Sequence, residues 1–151
     1  SILDFLTRVG GDEIRNGTMD EHNVNDLTRA ISSGSAPCDG MVVVPCSAKS
    51  LSSIAHGSSS NLIERTADVT LKERRPLVLV VRETPMNLIQ LRNMVTVAEA
   101  GAAVVPAMPA FYQKPVTFED LGDFIAGRIL GLLGLDHELF TRWTGGGGDG
   151  T

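Results

Sequence analysis

The chain has 151 residues, enough for one domain with a hydrophobic core. Hydrophobic residues make up 42% and charged residues 21%, and the net charge of −5 argues against a general nucleic-acid binder, which needs clustered lysine and arginine. Cys38 and Cys46 fit neither a disulfide scaffold nor a zinc-type spacing. No secretory signal and no apolar run near the roughly 20 residues of a membrane span is found, so a cytoplasmic location is expected.

The first predicted elements are helical. Residues 1–9 carry apolar side chains at helical spacing. A short helix is predicted over 25–33, with Asn25 as its N-cap and Leu27, Ala30 and Ile31 facing inward. A loop then leads into the first strand.

A βαβ unit follows. Residues 41–44 form a short β-branched run typical of a strand buried on both faces, and residues 77–81 repeat this pattern. Between them, a helix capped by Ser47 is predicted to His56, and a second, capped by Asn61, over 62–75. A helical crossover of this length predicts parallel strands.

The remaining elements continue the alternation of helix and strand. A third helix is predicted over 87–100, a third strand over 102–105, a rigid proline-rich loop over 106–115, and a last helix from the cap Thr117 to Leu133. Residues 1–143 are predicted to form one domain and 144–151 a disordered glycine-rich tail. The expected inward faces are Leu88, Leu91, Met94, Val95 and Ala98 in the third helix, and Phe118, Leu121, Ile125, Ile129 and Leu132 in the last.

Polar clusters follow the first two strands. Residues 47–50, with the sequence Ser-Ala-Lys-Ser, come after the first strand, and Arg82 and Glu83 come after the second. Ligands of parallel sheets bind at the carboxyl ends of the strands, and hydroxyl groups at a helix N-terminus favour an anion. With the guanidinium of Arg82, these residues predict a phosphate or nucleotide site. Cys46 is expected to be a small buried residue at the strand end rather than a nucleophile.

Several long motifs resemble the UbiX-type flavin prenyltransferases. The resemblance covers about residues 25–143 and is carried by GMVVVPCSAKS at 40–50, NLIER at 61–65, ADVTLKERRPLVLVVRETP at 67–85, LRNM at 91–94, PAMPAFY at 106–112 and the helix with Arg128. It implies a flavodoxin-like, Rossmann-type three-layer α/β fold with a parallel sheet. It also implies metal-independent transfer of a dimethylallyl group from dimethylallyl monophosphate to N5 and C6 of reduced FMN.

The resemblance also implies partners. The product, prenylated FMN, passes to a UbiD-type decarboxylase, and members of the family are commonly homo-dodecamers. The family opens with a strand and a glycine-rich turn that holds the FMN phosphate, and this sequence starts beyond that segment. An incomplete record of a longer chain is therefore expected, because a sheet without that strand leaves its neighbour unpaired.

The matching positions imply residue roles. The FMN-binding residues are Ser47, Ala48, Lys49, Ser50 and Arg82, although the serines can also serve only as helix caps. Trp143 matches a C-terminal aromatic residue near the site, or packs at a subunit contact. No role is assigned to the histidines, which form no metal or triad pattern.

The catalytic and substrate-binding roles fall on four residues. Glu83 matches a catalytic acid/base, and Lys72 matches a substrate-side cation that neutralises the leaving phosphate, with a solvated helix face as its alternative. Tyr112 and Arg128 match positions that bind the dimethylallyl phosphate. Arg128 interrupts an apolar helix and is expected to need an anionic partner, either the phosphate or a buried ion pair.

Two other functions remain open. A flavin-binding accessory subunit of a decarboxylase would bind FMN without consuming the allylic phosphate. A flavin-dependent cysteine decarboxylase usually carries a PxMNxxMW-like segment, and residues 85–89 read Pro-Met-Asn-Leu-Ile without the Met-Trp pair.

Overall fold

A computed structural model describes residues 22–140 of the chain. The predictions for residues 1–9, Trp143 and residues 144–151 lie outside this range. In chain order the elements are β1 (Met41–Cys46), α1 (Ala48–Ala55), α2 (Leu62–Lys72), β2 (Leu77–Val81), α3 (Leu88–Glu99), β3 (Ala103–Pro106) and α4 (Phe118–Leu132), with 3₁₀ turns at Ala30–Ser32 and Phe111–Gln113.

The described strands form a parallel sheet in the order β1-β2-β3. Apolar side chains of α1, α2 and α3 pack on one face, around Leu77, Leu79 and Val81 of β2. The opposite face packs Val78 and Val80 against α4. The predicted three-layer α/β arrangement with a parallel sheet is therefore confirmed. None of the helices in residues 22–140 is long and apolar enough to cross a membrane.

The predicted helix over 25–33 is wrong. The backbone N–H of Asn25 donates to Asn23 Oδ1 at 2.9 Å, and that of Thr28 donates to Asp26 Oδ1 at 3.0 Å. These local bonds give the backbone an alternative to a helix, so only the 3₁₀ turn Ala30–Ser32 forms and Leu27 is exposed.

Burial on both faces of β1 is only partly confirmed: Met41 and Val43 pack against the core on one face, and Val42 packs against the core on the other. Within 41–44 only Val43 is buried, and Val44 is exposed. By contrast, all five residues of β2 are buried, as predicted.

The second crossover helix ends three residues earlier than predicted. Arg74 takes a left-handed backbone conformation with φ of 55°. The N–H groups of Arg74 and Arg75 then donate to the carbonyls of Leu71 at 3.0 Å and Thr70 at 2.9 Å. This is the Schellman arrangement, and it ends α2 at Lys72 before Pro76 can.

The predicted inward faces of the later helices are partly wrong. In α3 the buried residues are Asn93 and Val97, whereas Leu88 (59%), Leu91 (44%) and Val95 (56%) are exposed. In α4 Ile129 is buried as predicted, but Phe118 is 93% exposed at the start of the helix. Apolar residues surround much of α3, so spacing alone does not select the face that meets the sheet.

A buried carboxylate fixes the start of α2. Asn61 caps the helix by accepting from the Glu64 N–H at 2.9 Å. The Glu64 side chain, 1% exposed, accepts from the Ser60 N–H at 2.9 Å and from the Ser60 hydroxyl at 2.5 Å. These bonds, led by the hydroxyl, hold the pKa of Glu64 below its usual range.

We expect Glu64→Gln to lower the free energy of unfolding at pH 7 by about 1–3 kcal/mol, because the amide replaces a charged acceptor of two hydrogen bonds. A depressed pKa stabilises the fold above the unfolded value, near 4.5, and that stabilisation is lost as pH falls through the folded pKa. The wild type and the variant should therefore converge in urea titrations run at progressively lower pH. Glu99→Gln, at an exposed helix end, is the control; an equal loss in both variants contradicts the prediction.

Residues 133–140 fold back against α4 at a glycine. A Cβ atom on Gly127 would lie 2.5 Å from Phe140 Cε1 and 2.6 Å from His137 Cε1. The rings of His137 and Phe140 are 5.0 Å apart between centroids, and those of Phe124 and Phe140 are 5.2 Å apart. The missing side chain at Gly127 is therefore what lets these aromatic rings reach the helix.

The overpacking in Gly127→Ala should lower the free energy of unfolding by about 1–3 kcal/mol. We expect this cost to exceed the roughly 1 kcal/mol by which a helix interior favours alanine over glycine. Gly131→Ala is a matched control on the same helix, because its Cβ would meet nothing within 4 Å. Thermal unfolding should show a lower midpoint for the first variant and an unchanged or higher one for the second. Equal midpoints would mean that the contact at Gly127 relaxes without cost.

Candidate functional site

The carboxyl ends of the described strands lie side by side. Cys46 pairs with Val81, and Val81 pairs with Pro106. The N–H of Ala107 donates to the Val81 carbonyl at 2.8 Å, which extends the alignment past β3. The polar segments that follow β1 and β2 therefore emerge at one edge of the sheet, as the sequence predicts.

The turn after β1 begins a helix with two hydroxyl groups. Ser47 is the N-cap of α1: its Oγ accepts from the Ser50 N–H at 3.1 Å and lies 3.1 Å from Ser50 Oγ. Ser47 and Lys49 are exposed, so a hydroxyl and an ammonium face solvent at the helix N-terminus. The predicted cap is confirmed, and the donor set is chemically suited to a phosphate group.

Arg82 and Glu83 follow β2 at the same edge. With Cys46, Ala48 and Gln90, they line a narrow cleft between α1 and α3. Arg82 is exposed, and Glu83 is half-buried, with its Oε1 accepting from the Thr84 N–H at 3.2 Å. The structure thus brings Ala48 of the predicted FMN-binding segment together with the guanidinium of Arg82 and the predicted acid/base Glu83.

Cys46 is buried at the carboxyl end of β1, with 2% of its surface exposed. Burial raises the pKa of its thiol to about 11. Because the thiolate is the nucleophilic form, Cys46 is inert at neutral pH. The prediction of a small buried residue is confirmed.

Tyr112 and Arg128 line another, larger cleft of about 510 Å³. Tyr112 lies in the 3₁₀ turn Phe111–Gln113 and is 70% exposed, whereas Arg128 projects from α4. The structure therefore brings the two predicted phosphate-binding residues together. The expected burial of Arg128 is wrong: its side chain is exposed, so it needs no structural ion pair.

Lys72 lies elsewhere. It is the last residue of α2, next to the amino end of β2, and its Nζ is 3.6 Å from Glu73 Oε1. The strand β2 spans about 16 Å between this edge and the edge with Glu83. Within residues 22–140 Lys72 therefore lies away from the residues that follow β2, and its predicted role beside the leaving phosphate stays a prediction.

The larger cleft contains residues that the sequence reasoning did not assign. Gln113, Phe124, His137 and Phe140 join Tyr112 and Arg128 in its lining. A signal existed for part of this set, because Phe124, Gly127, Arg128 and Gly131 share one face of α4 by their spacing. None existed for His137 and Phe140, which follow the helix in irregular structure. Within residues 22–140 no three His, Cys, Asp or Glu side chains are placed to hold a metal ion.

Comparison with known proteins gives consistent matches. The model of the Flavoprotein family matches residues 9–130. The flavin prenyltransferase UbiX of Halalkalibacterium halodurans is 53% identical over 142 residues, which cover 94% of this chain and 66% of that protein. The chain spans about two thirds of the length of the curated relatives it matches.

Two solved structures agree closely with the fold. The structure of AnUbiX (PadA1) in complex with FMN and dimethylallyl pyrophosphate is 52% identical, with a TM-score of 0.82, and covers 89% of this chain and 72% of that chain. The dodecameric FMN-dependent Ubix-like decarboxylase from Escherichia coli O157:H7 is 44% identical, also with a TM-score of 0.82, and covers 89% and 73%.

Proposed function

The chain belongs to the UbiX family of flavoproteins, and we propose that it is a flavin prenyltransferase. In this proposal it transfers a dimethylallyl group from dimethylallyl monophosphate to N5 and C6 of reduced FMN and makes prenylated FMN. The observation that carries the proposal is the cleft that Tyr112 and Arg128 share, because it offers an exposed guanidinium and a phenol beside apolar walls. A ligand with an anionic head and a short apolar tail matches that chemistry.

The strand-end residues would hold FMN. Its bound ring system supplies the nucleophilic nitrogen and carbon of the reaction. Ser47, Lys49 and Ser50 offer hydroxyls, a cation and a helix N-terminus to its phosphate, and the guanidinium of Arg82 adds a forked donor. Ala48 is half-buried beside these residues, and its small methyl side chain leaves room for FMN to approach the backbone closely.

The remaining site residues bind the allylic phosphate and accept the proton that is released as the new ring forms. Arg128 and Tyr112 bind the phosphate and stabilise the charge that develops as it leaves. Glu83, half-buried beside Arg82, accepts the proton released when the new ring regains its double bond. Because Lys72 lies at the opposite edge of the sheet, it would have to serve the phosphate site of a neighbouring copy.

The proposal extends to location and partners. A UbiD-type decarboxylase would receive the product, and the protein would work in the cytoplasm. Cys38 and Cys46 are both free thiols, which fits a reducing compartment. A homo-oligomer, by analogy a homo-dodecamer, is supported by the exposed apolar side chains Leu88, Leu91 and Val95 on α3, because monomers seldom expose contiguous apolar patches.

The function is tested by supplying the full protein that carries this chain with reduced FMN and dimethylallyl monophosphate, without metal. We expect release of inorganic phosphate and a flavin that gains the mass of one isoprene unit. Arg128→Met should lower kcat/KM by about 10- to 100-fold, because a charge-assisted hydrogen bond to the phosphate is lost. Arg29→Met removes the same charge from an exposed turn, where Arg29 pairs with Asp26, and should leave kcat/KM unchanged.

The outcomes separate the competing functions. Flavin binding without phosphate release would indicate an accessory subunit. Release of carbon dioxide from a phosphopantothenoylcysteine-type substrate would indicate a cysteine decarboxylase. Product formation from the pyrophosphate but not the monophosphate would correct the substrate and keep the reaction class.

We expect Leu91→Glu to reduce the size of the oligomer, because a charge on the apolar side of α3 would have to be desolvated at a subunit contact. Sedimentation velocity measures the assembly, and circular dichroism checks that the subunits stay folded. Ser58→Glu adds the same charge on an exposed loop and should leave the mass unchanged. An unchanged mass for Leu91→Glu would rule out this face of α3 as a contact.

A further inference from the structure

Two clefts share an aromatic wall. The cleft with Tyr112 and Arg128 has a volume of about 510 Å³. A second cleft, of about 260 Å³, lies between the proline-rich loop and the first half of α4. The residues that line both are Gln113, Phe124 and Phe140.

The two phenylalanine rings in this wall are fixed by packing. Their centroids are 5.2 Å apart with an interplanar angle of 39°, and both side chains are half-buried. On its other side, Phe140 packs against the His137 ring at 5.0 Å. Gly127 supports the pair from α4, since any side chain there would collide with Phe140. The wall is thus held by contacts on several sides.

The wall lies beside the predicted phosphate site. Phe124 precedes Arg128 by four residues, so the two lie on the same side of α4 one turn apart. A ligand whose phosphate binds Arg128 therefore has an aromatic surface next to its apolar tail. Beyond the rings, the second cleft is lined largely by apolar residues: Pro109, Ala110, Pro115, Leu121 and Leu139.

We propose that the Phe124–Phe140 pair limits the length of the prenyl group to one isoprene unit. The inference rests on the proposed function, because it takes the allylic phosphate to bind at Arg128. A geranyl tail, longer by five carbons, would have to displace a packed ring to reach the second cleft, whereas a dimethylallyl tail ends before the wall. The pair is a specificity determinant and takes no part in bond making.

The test compares dimethylallyl monophosphate with geranyl monophosphate in the full protein that carries this chain. Phe140→Ala and Phe124→Ala should each raise the ratio of kcat/KM for geranyl over dimethylallyl substrate by about 10-fold or more, the scale on which apolar pockets discriminate. Calorimetry should show tighter binding of geranyl monophosphate to both variants than to the wild type. Phe118→Ala makes the same truncation at an exposed position of α4 and should change neither quantity.

Several outcomes would overturn the inference. One is an unchanged ratio in both variants, with thermal unfolding showing that they are folded. Another is a wild type that accepts both tails equally. If the alanine variants do not fold, Phe140→Leu should give a smaller shift in the same direction, and its absence overturns the inference. If the wild type transfers neither tail, the proposed function fails, and the calorimetry alone decides whether the wall excludes the longer tail.

Discussion

The structure depends on the pairing of β2 with a parallel neighbour on each side. All five residues of β2 are buried, so its backbone groups must bond to β1 and β3. A shift of one residue would turn the side chains of Leu77, Leu79 and Val81 away from α1–α3, so burial fixes the register. That register brings the ends of the strands to one edge, and the clustering of Ala48, Arg82 and Glu83 follows from it.

Much of the fold could be predicted because its signals are local. Side-chain caps and the β-branched run of β2 act within a few residues, and the start of each helix in residues 41–140 is where the sequence predicts it. The face of α3 was not predictable, because Leu91 and Val95 satisfy the apolar spacing as well as Val97 does. The end of α2 depends on the left-handed conformation of Arg74, which favours glycine and has no clear signal in an arginine.

The candidate site likewise has a part that the sequence predicts and a part that it does not. Its position at the strand ends follows from the βαβ order, which the residues alone predict. The pairing of Tyr112 with Arg128 came from family resemblance, because the loop that carries Tyr112 has no periodicity. The contact of Phe140 with α4 has no signal in the sequence, since it depends on the space left by Gly127. The motif that carries Lys72 gives its order along the chain but not the edge of the sheet at which α2 ends.

The buried thiol of Cys46 has a consequence for durability. Reduced flavin generates peroxide where oxygen reaches it, and a protein that handles reduced FMN carries that hazard at its own binding site. Oxidation of cysteine begins from the exposed thiolate. Cys46 lies at the strand edge but is 2% exposed, and its pKa is raised to about 11, so it is held as a shielded neutral thiol. In the proposed function, the fold would keep this oxidisable atom in its least reactive form beside the bound flavin.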